Sequence, residues 1–324
     1  MCGMHIMNCK NEEVSPKPSS LFGRKVLITG ASGFIGDPLC RRLVAKGCQV
    51  HAVSRHQRAS GRDPIRWWQA DLVNEKKVEI LVARVKPDII YHLGSLVTGT
   101  RDPNAVIPIL HNNLVSTVHL LHAANKTGCR RFLSIGSMEE PDFRDPLVIP
   151  GSPYAAAKGA SSLYGRMYHA LYHLPVVILR VFMVYGEGQK DPNKLIPYVI
   201  RSLLRGEAPR ISSGMRNVDW IYIEDTVDGL LAAAEATHVE GRTIDIGSGT
   251  LRSIRSVVEH LVTITESSLR PLYGALEDRP LEALRVADVD DTEALIGWRA
   301  RTALEEGLAK TVAWYRQMAA AGSL

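Results

Sequence analysis

Cysteine is scarce and unpatterned in these 324 residues: Cys2, Cys9, Cys40, Cys48 and Cys129, five in all. An odd count without paired spacing argues against a disulfide framework and a cysteine-held metal. Thiols of this kind act as small apolar residues and suit a reducing, cytoplasmic compartment. Long apolar runs are lacking too. None approaches the roughly 20 residues of a membrane-spanning helix, so no membrane partner is expected. The first twenty residues hold no apolar stretch of leader length, because Asn11-Glu12-Glu13 interrupts it, and residues 1–20 read as a mobile tail. Nor is there an excess of one charge. Lys and Arg number 39 against 34 Asp and Glu, and the net +5 is spread along the chain. That is too little for a nucleic-acid partner, though it suits a diphosphate ligand. Internal repeats and low-complexity segments are absent.

What is present is an alternation of short apolar runs with helix-period segments. Val26-Leu27-Ile28, Gln49 to Val53, Ile65 to Gln69, Asp88 to Tyr91, Arg131 to Ile135 and Val176 to Leu179 read as strands. Phe34 to Lys46, Ala105 to Asn125 and Pro153 to Tyr172 read as helices, with Pro108 expected near the first turn of the second. Such alternation predicts an α/β fold, a doubly wound parallel sheet of Rossmann type. Residues 21–186 would form its dinucleotide-binding domain. A helix from Glu224 to Ala236 and a strand from Thr243 to Ile246 would return to it, within about 219–248. Residues 187–218 and 249–324 would form a smaller, sequence-discontinuous lobe over the carboxyl ends of the strands. That lobe would carry a helix from Leu195 to Leu204 and two amphipathic helices after Ser253.

Gly30, Gly33 and Gly36 stand three apart between the first strand and the first helix. A turn there needs residues without side chains so that backbone can approach a pyrophosphate. The helix start then offers N–H groups and partial positive charge to it. Ser32, Phe34 and Ile35 belong to the same loop. At the end of the second strand an NAD site usually places an acid for the ribose hydroxyls. Here Ser54, Arg55 and, close behind, Arg58 stand instead. A guanidinium accepts a 2′-phosphate that a carboxylate would repel, so the sequence favours NADP(H) over NAD. Asp71 and Leu72 would flank the adenine. Trp67 and Trp68 read as packing at a strand edge rather than as a stacking platform.

Ser152 is a good N-cap and Pro153 a good first residue for the helix that holds Tyr154 and Lys158. Four apart, the two share a face. An ammonium beside a phenol lowers the phenol's pKa, and the pair can then pass a proton to or from a sugar oxygen while hydride moves at the adjacent carbon. Ser137, at the end of the fifth strand, would hydrogen-bond that oxygen.

With these pieces the chain resembles the extended short-chain dehydrogenase/reductase family of nucleotide-sugar epimerases, dehydratases and ketoreductases. The resemblance spans about Lys25 to Trp314. It rests on Thr29 to Gly36, Asp71-Leu72, His92 to Ser95, Asn113 with Ser116-Thr117, Ser137, and Tyr154 with Lys158. Further matches are Arg180 to Gly186, Asp219 to Asp225, Asp245 to Gly249, Asp278 to Pro280 and Gly297-Trp298. It implies Ser137, Tyr154 and Lys158 as the catalytic triad, with Leu93, Gly94, Ser95 and Asn113 also at the cofactor. It implies a nucleotide-diphosphate sugar as substrate, held by Val97, Met183, Lys194, Leu195, Arg216 and Arg279, and a homodimer joined by four helices, with Tyr164 and Tyr168 facing the partner. Gly94-Ser95 replaces the usual Ala-Ala and Met183 a frequent Asn. Val218 stands where an Arg is usual, and Arg216 is the candidate replacement.

Dehydratases of the family place an acid–base pair after the hydroxyl residue. Glu139 matches its second member, and Met138 cannot act as its first. Ser137-Met138-Glu139-Glu140 resembles instead some nucleotide-linked 4-keto-6-deoxysugar reductases. The expected order is NADPH-dependent 4-ketoreductase, then 4-epimerase with retained cofactor, then 4,6-dehydratase. A non-enzymatic NADP(H)-binding sensor or scaffold comes last, because Tyr154 and Lys158 are both present. No metal site is expected. His169 and His173, four apart on a helix, lack the carboxylate of the metalloprotease pattern.

Overall fold

The computed structural model describes residues 20–58 and 64–322. The tail expected over residues 1–20 lies, apart from Ser20, outside them. In chain order the first elements are β1 (Lys25–Thr29), α1 (Gly36–Ala45), β2 (Gln49–Ser54), β3 (Arg66–Gln69), α2 (Glu75–Val85) and β4 (Ile89–His92). There follow α3 (Val106–Ile109), α4 (Ser116–Thr127), β5 (Arg131–Ser137), α5 (Pro153–Tyr172), β6 (Val176–Val181), β7 (Met183–Tyr185) and α6 (Leu195–Leu204). The remainder are β8 (Asn217–Tyr222), α7 (Ile223–Glu235), β9 (Thr243–Ile246), β10 (Leu251–Ser253), α8 (Ile254–Thr265), α9 (Val289–Ile296) and α10 (Leu304–Ala320).

Seven strands make one parallel sheet in the order β3-β2-β1-β4-β5-β6-β9. Each central strand is buried on both faces, which is why its sequence is a continuous apolar run rather than an alternating one. Val26 and Ile28 of β1 face the core shared with α1 and α7, while Leu27 faces the core shared with α2, α4 and α5. The order reverses between β1 and β4, which opens a crevice at the carboxyl ends of those strands. A second sheet, β10-β8-β7, was not evident in the sequence. Asp219 lies mid-strand in β8, a residue that strands seldom carry. It is fully buried and its carboxylate accepts from the N–H groups of Ser248 at 2.8 Å and of Gly249 and Ala287 at 3.0 Å, and from the Ser248 hydroxyl at 2.7 Å. Two loops, the one after β9 and the one before α9, are thereby fastened to one strand.

Two expectations shift in detail. The helix expected over Ala105 to Asn125 runs as a 3-10 turn (Pro103–Ala105), α3, a π segment (Leu110–Val115) and α4. Pro108 sits within α3 and supplies no N–H, and the wider turn follows directly after it. The end of the chain holds three helices, α8, α9 and α10, where two were expected. α2, capped by Asn74 accepting from Lys77 N–H at 3.0 Å, adds to the elements expected from sequence.

Candidate functional site

The site begins where β1 ends. Gly30 has φ +67°, and a Cβ there would lie 2.8 Å from Gly94 N and from the Leu93 carbonyl carbon. At Gly36 a Cβ would lie 2.2 Å from Gly30 O. The loop is folded so tightly against the end of β4 and the start of α1 that side chains are excluded at both positions. What remains on its surface is backbone N–H at a helix start, a cradle for phosphate. Beneath it, Thr29 Oγ1 accepts from Gly94 N–H at 3.0 Å and lies 2.8 Å from His92 Nδ1. His92 Nε2 lies 2.9 Å from Thr117 Oγ1. Burial, then the charge of Lys158, pulls the His92 pKa down to about 3, so this link between β4 and α4 stays uncharged.

Ser137, Tyr154 and Lys158 meet at the ends of β5 and α5. Ser152 caps α5 by accepting from Ala155 N–H at 3.1 Å, which fixes where Tyr154 stands in the first turn. Lys158 is buried and donates to Ile135 O at 2.8 Å, and its Nζ lies 6.0 Å from the centre of the Tyr154 ring. Burial lowers the Lys158 pKa to about 8, against the opposing pull of Glu140. The expectation of a lowered phenol pKa does not hold here. Burial pushes Tyr154 up to about 12, with the Ser137 hydroxyl pulling the other way and the charges of Glu140 and Glu139 adding to the rise. Desolvation of the phenolate is the largest cause.

Across the cleft the arrangement changes from backbone to charged side chains. Arg216 pairs with Glu139 at 2.7 Å and with Glu282 at 3.1 Å, and Arg279 stands 3.9 Å from Glu282. The Arg216 Nε–H is buried and has no partner among the described residues. Lys194 donates to Val97 O at 3.3 Å, and burial lowers its pKa. Met138 is buried, and its main-chain N–H donates to Val181 O at 3.1 Å.

All of this lines one cleft of about 1690 Å³. Single-ligand pockets run to about 1,000 Å³, so there is room for two ligands end to end. Its wall includes Gly30, Ser32 to Gly36, Ser54, Arg55, Asp71, Leu72, Leu93, Gly94 and Ser95 on one side. On the other it includes Val97, Glu139, Met183, Lys194, Leu195, Arg216 and Arg279, with Ser137, Tyr154 and Lys158 between. The Ser95 hydroxyl is buried without a partner among the described residues. Asp71 accepts from Val73 N–H at 3.1 Å. Arg55 is exposed, and its guanidinium has no carboxylate partner among the described residues.

Two expected cofactor residues stand back from this wall. Asn113, in the π segment, is buried; its side chain accepts from Leu96 N–H at 2.7 Å and donates to Leu96 O at 3.1 Å. It braces the segment after β4 rather than facing the cleft. Arg58 lies 4.9 Å over the Trp67 ring, and Trp68 donates to His51 Nδ1 at 3.0 Å, so both tryptophans are engaged by protein side chains. Tyr168, expected at a partner surface, is buried against Tyr172, whereas Tyr164 is exposed. Glu282 and Glu140 were not singled out as site residues. Glu282 stands three residues after Arg279 in an irregular segment, where spacing alone does not signal a pair, and Glu140 directly follows Glu139.

A doubly wound sheet, a glycine cradle at its first loop and a Tyr–Lys pair at the switch crevice place the chain among extended short-chain dehydrogenase/reductase enzymes. The family model described as NAD dependent epimerase/dehydratase matches residues 26–247, and the chain belongs to that family. It is 30% identical to a UDP-glucose 4-epimerase of Mycolicibacterium smegmatis, over 90% of this chain and 98% of that one. It is 29% identical to a dTDP-glucose 4,6-dehydratase of an Actinoplanes species, over 90% and 98%. Among solved structures it is similar to a UDP-glucuronic acid 4-epimerase of Bacillus cereus in complex with UDP-glucuronic acid and NAD. There the TM-score is 0.80 and the identity 26%, over 90% of this chain and 99% of that one. No helix among the described residues is long and apolar enough to cross a membrane.

Proposed function

We propose that the chain reduces the 4-keto group of a nucleotide-diphosphate-linked 4-keto-6-deoxyhexose, using NADPH. The observation that carries this is the end of β2. Ser54 and Arg55, which has no carboxylate partner among the described residues, border the cleft where an acid would favour NAD, and an exchangeable NADPH fits net reduction. Tyr154 and Lys158 would hold a nicotinamide, which when bound would supply hydride. Ser137 and Tyr154 hold the keto oxygen, and Tyr154 gives it a proton, which a phenol near pKa 12 retains at neutral pH. Lys158 holds the nicotinamide ribose. Arg216 and Arg279, both on the cleft wall, bind the diphosphate. Elimination of water is disfavoured, because Met138 carries no acid and Glu139 is held by Arg216.

A second reading, 4-epimerisation with a retained nicotinamide, is favoured by the likeness to a UDP-glucose 4-epimerase over nearly the whole chain. In either case we propose a homodimer. Val106, Ile107 and Leu110 on one helical run and Leu163 and Tyr164 on α5 leave an apolar face exposed, suited to a four-helix contact. A mass of one chain in solution would contradict it.

The test is to mix the protein with NADPH and 4-keto-6-deoxyhexoses linked to guanosine, thymidine, uridine or cytidine diphosphate, and to follow nicotinamide absorbance. Oxidation of NADPH with one of them is expected. Tyr154→Phe should lower that rate by about 10²- to 10⁴-fold while cofactor binding is kept. Interconversion of 4-epimers without net NADPH loss would replace this reading by the second.

A further inference from the structure

The reaction as described leaves one buried acid unused. Glu140 follows β5 and is only 3% exposed. It and Ser137 bind each other twice: Ser137 N–H donates to Glu140 Oε1 at 2.7 Å, and Glu140 N–H donates to Ser137 O at 3.1 Å. The carboxylate lies in space that only a glycine leaves, since a Cβ at Gly136 would be 2.4 Å from Glu140 Oε1. Nothing about the turn itself requires a charge there, and burying a carboxylate without compensation is costly. Burial raises the Glu140 pKa, and the Ser137 N–H, the Ser162 hydroxyl of α5, Arg180 of β6 and Lys158 of α5 offset that in part by favouring the carboxylate. Arg180 already has a carboxylate partner, Asp245, at 2.9 Å. Lys158 has no carboxylate within hydrogen-bonding distance among the described residues, and its hydrogen bond goes to the Ile135 carbonyl.

We propose that Glu140 is a positioning residue. Its buried carboxylate fixes Ser137 through the main chain and is the counter-charge that keeps Lys158 an ammonium. This rests on the hydride-transfer reading of Ser137, Tyr154 and Lys158. Of the titratable groups around Lys158, the Tyr154 ring on its own helix has its centre 6.0 Å from Nζ, His92 on β4 is neutral, and Glu140 after β5 acts on it. Burial draws the Lys158 pKa down and Glu140 holds it up. Without Glu140 the ammonium loses its proton at lower pH, so the alkaline limb of the rate profile moves to lower pH.

The experiment compares wild type, Glu140→Gln and Glu140→Asp. Lys158 is titrated by NMR of lysine-labelled protein, with Lys158→Arg identifying its signal, and kcat and KM are measured across pH. Glu140→Gln should fold, bind cofactor within about threefold of wild type, lower kcat by about tenfold, and shift both the Lys158 titration and the alkaline limb to lower pH. Glu140→Asp should restore part of both shifts. A Lys158 titration unmoved in Glu140→Gln overturns the proposal. If Glu140→Gln fails to fold, Glu140→Asp decides by the same titration. If the wild type turns over no nucleotide sugar, the hydride-transfer reading fails, yet the NMR titration still tests the counter-charge.

Discussion

The two halves of the cleft are built from different materials. The cofactor half is main chain: Gly30 and Gly36 press so closely on Leu93, Gly94 and each other that no side chain fits. The substrate half is side chains of opposite charge tied to one another, Arg216 to Glu139 and Glu282, with Arg279 near Glu282. A backbone cradle is rigid and tolerates no substitution. A charged cluster holds its shape through partners that a bound anion must compete with, so single changes there retune affinity instead of abolishing it.

The sharpest way to break that contrast is Gly36→Ala. The new methyl group collides with Gly30 O, the loop must open, and the hydrogen bonds it would offer a charged phosphate are lost, which costs about 10²-fold in binding. Nicotinamide fluorescence titration should show that loss, with substrate affinity changed far less. Retained cofactor affinity would mean that the cradle yields. The paired charges predict effects of opposite sign. Arg216→Ala should weaken nucleotide-sugar binding by about 10- to 100-fold, the worth of a charge-assisted hydrogen bond. Glu282→Ala, which removes one of the two carboxylates on Arg216 and the one near Arg279, should tighten it several-fold. Calorimetry with a nucleoside diphosphate reads both, and weakening by both changes would contradict competition at the cluster.

A smaller effect sharpens the view of the rigid half. His92 is held neutral, its pKa drawn from 6.5 to about 3. In the unfolded chain it gains a proton below about pH 6.5, which the native state refuses. Its contribution is therefore complete above pH 6.5 and declines as pH falls from there toward 3. Urea unfolding of wild type and His92→Gln over that interval should show the wild type losing stability more steeply.

The same contrast explains how far the sequence could be read. β1, the glycine loop, α5 from Pro153 to Tyr172 and β9 are local patterns: apolar runs, fixed spacings, an N-cap followed by proline. Each is written in consecutive residues. β8 was obscured because Asp219 interrupts its apolar run, and its hydrogen-bond partners Ser248, Gly249 and Ala287 lie far along the chain. Arg216 and Arg279 were legible as cations, but their shared partner Glu282 is a matter of how loops meet. Asn113 resembled a ligand residue, yet its amide matches both polar groups of the Leu96 backbone, a pairing only the folded chain creates. The rise of the Tyr154 pKa was hidden for the same reason, since burial is not a property of two residues four apart.

The proposed preference for NADPH rests on Arg55, which stands where an acid would select NAD. Titration of the protein with NADPH and NADH, beside Arg55→Ala, tests it most directly. The account predicts that NADPH binds at least about tenfold tighter than NADH, and that Arg55→Ala removes most of the difference by weakening NADPH alone, as loss of a charge-assisted contact to the 2′-phosphate requires. Equal or tighter binding of NADH by the wild type, or a preference unchanged in Arg55→Ala, would contradict it.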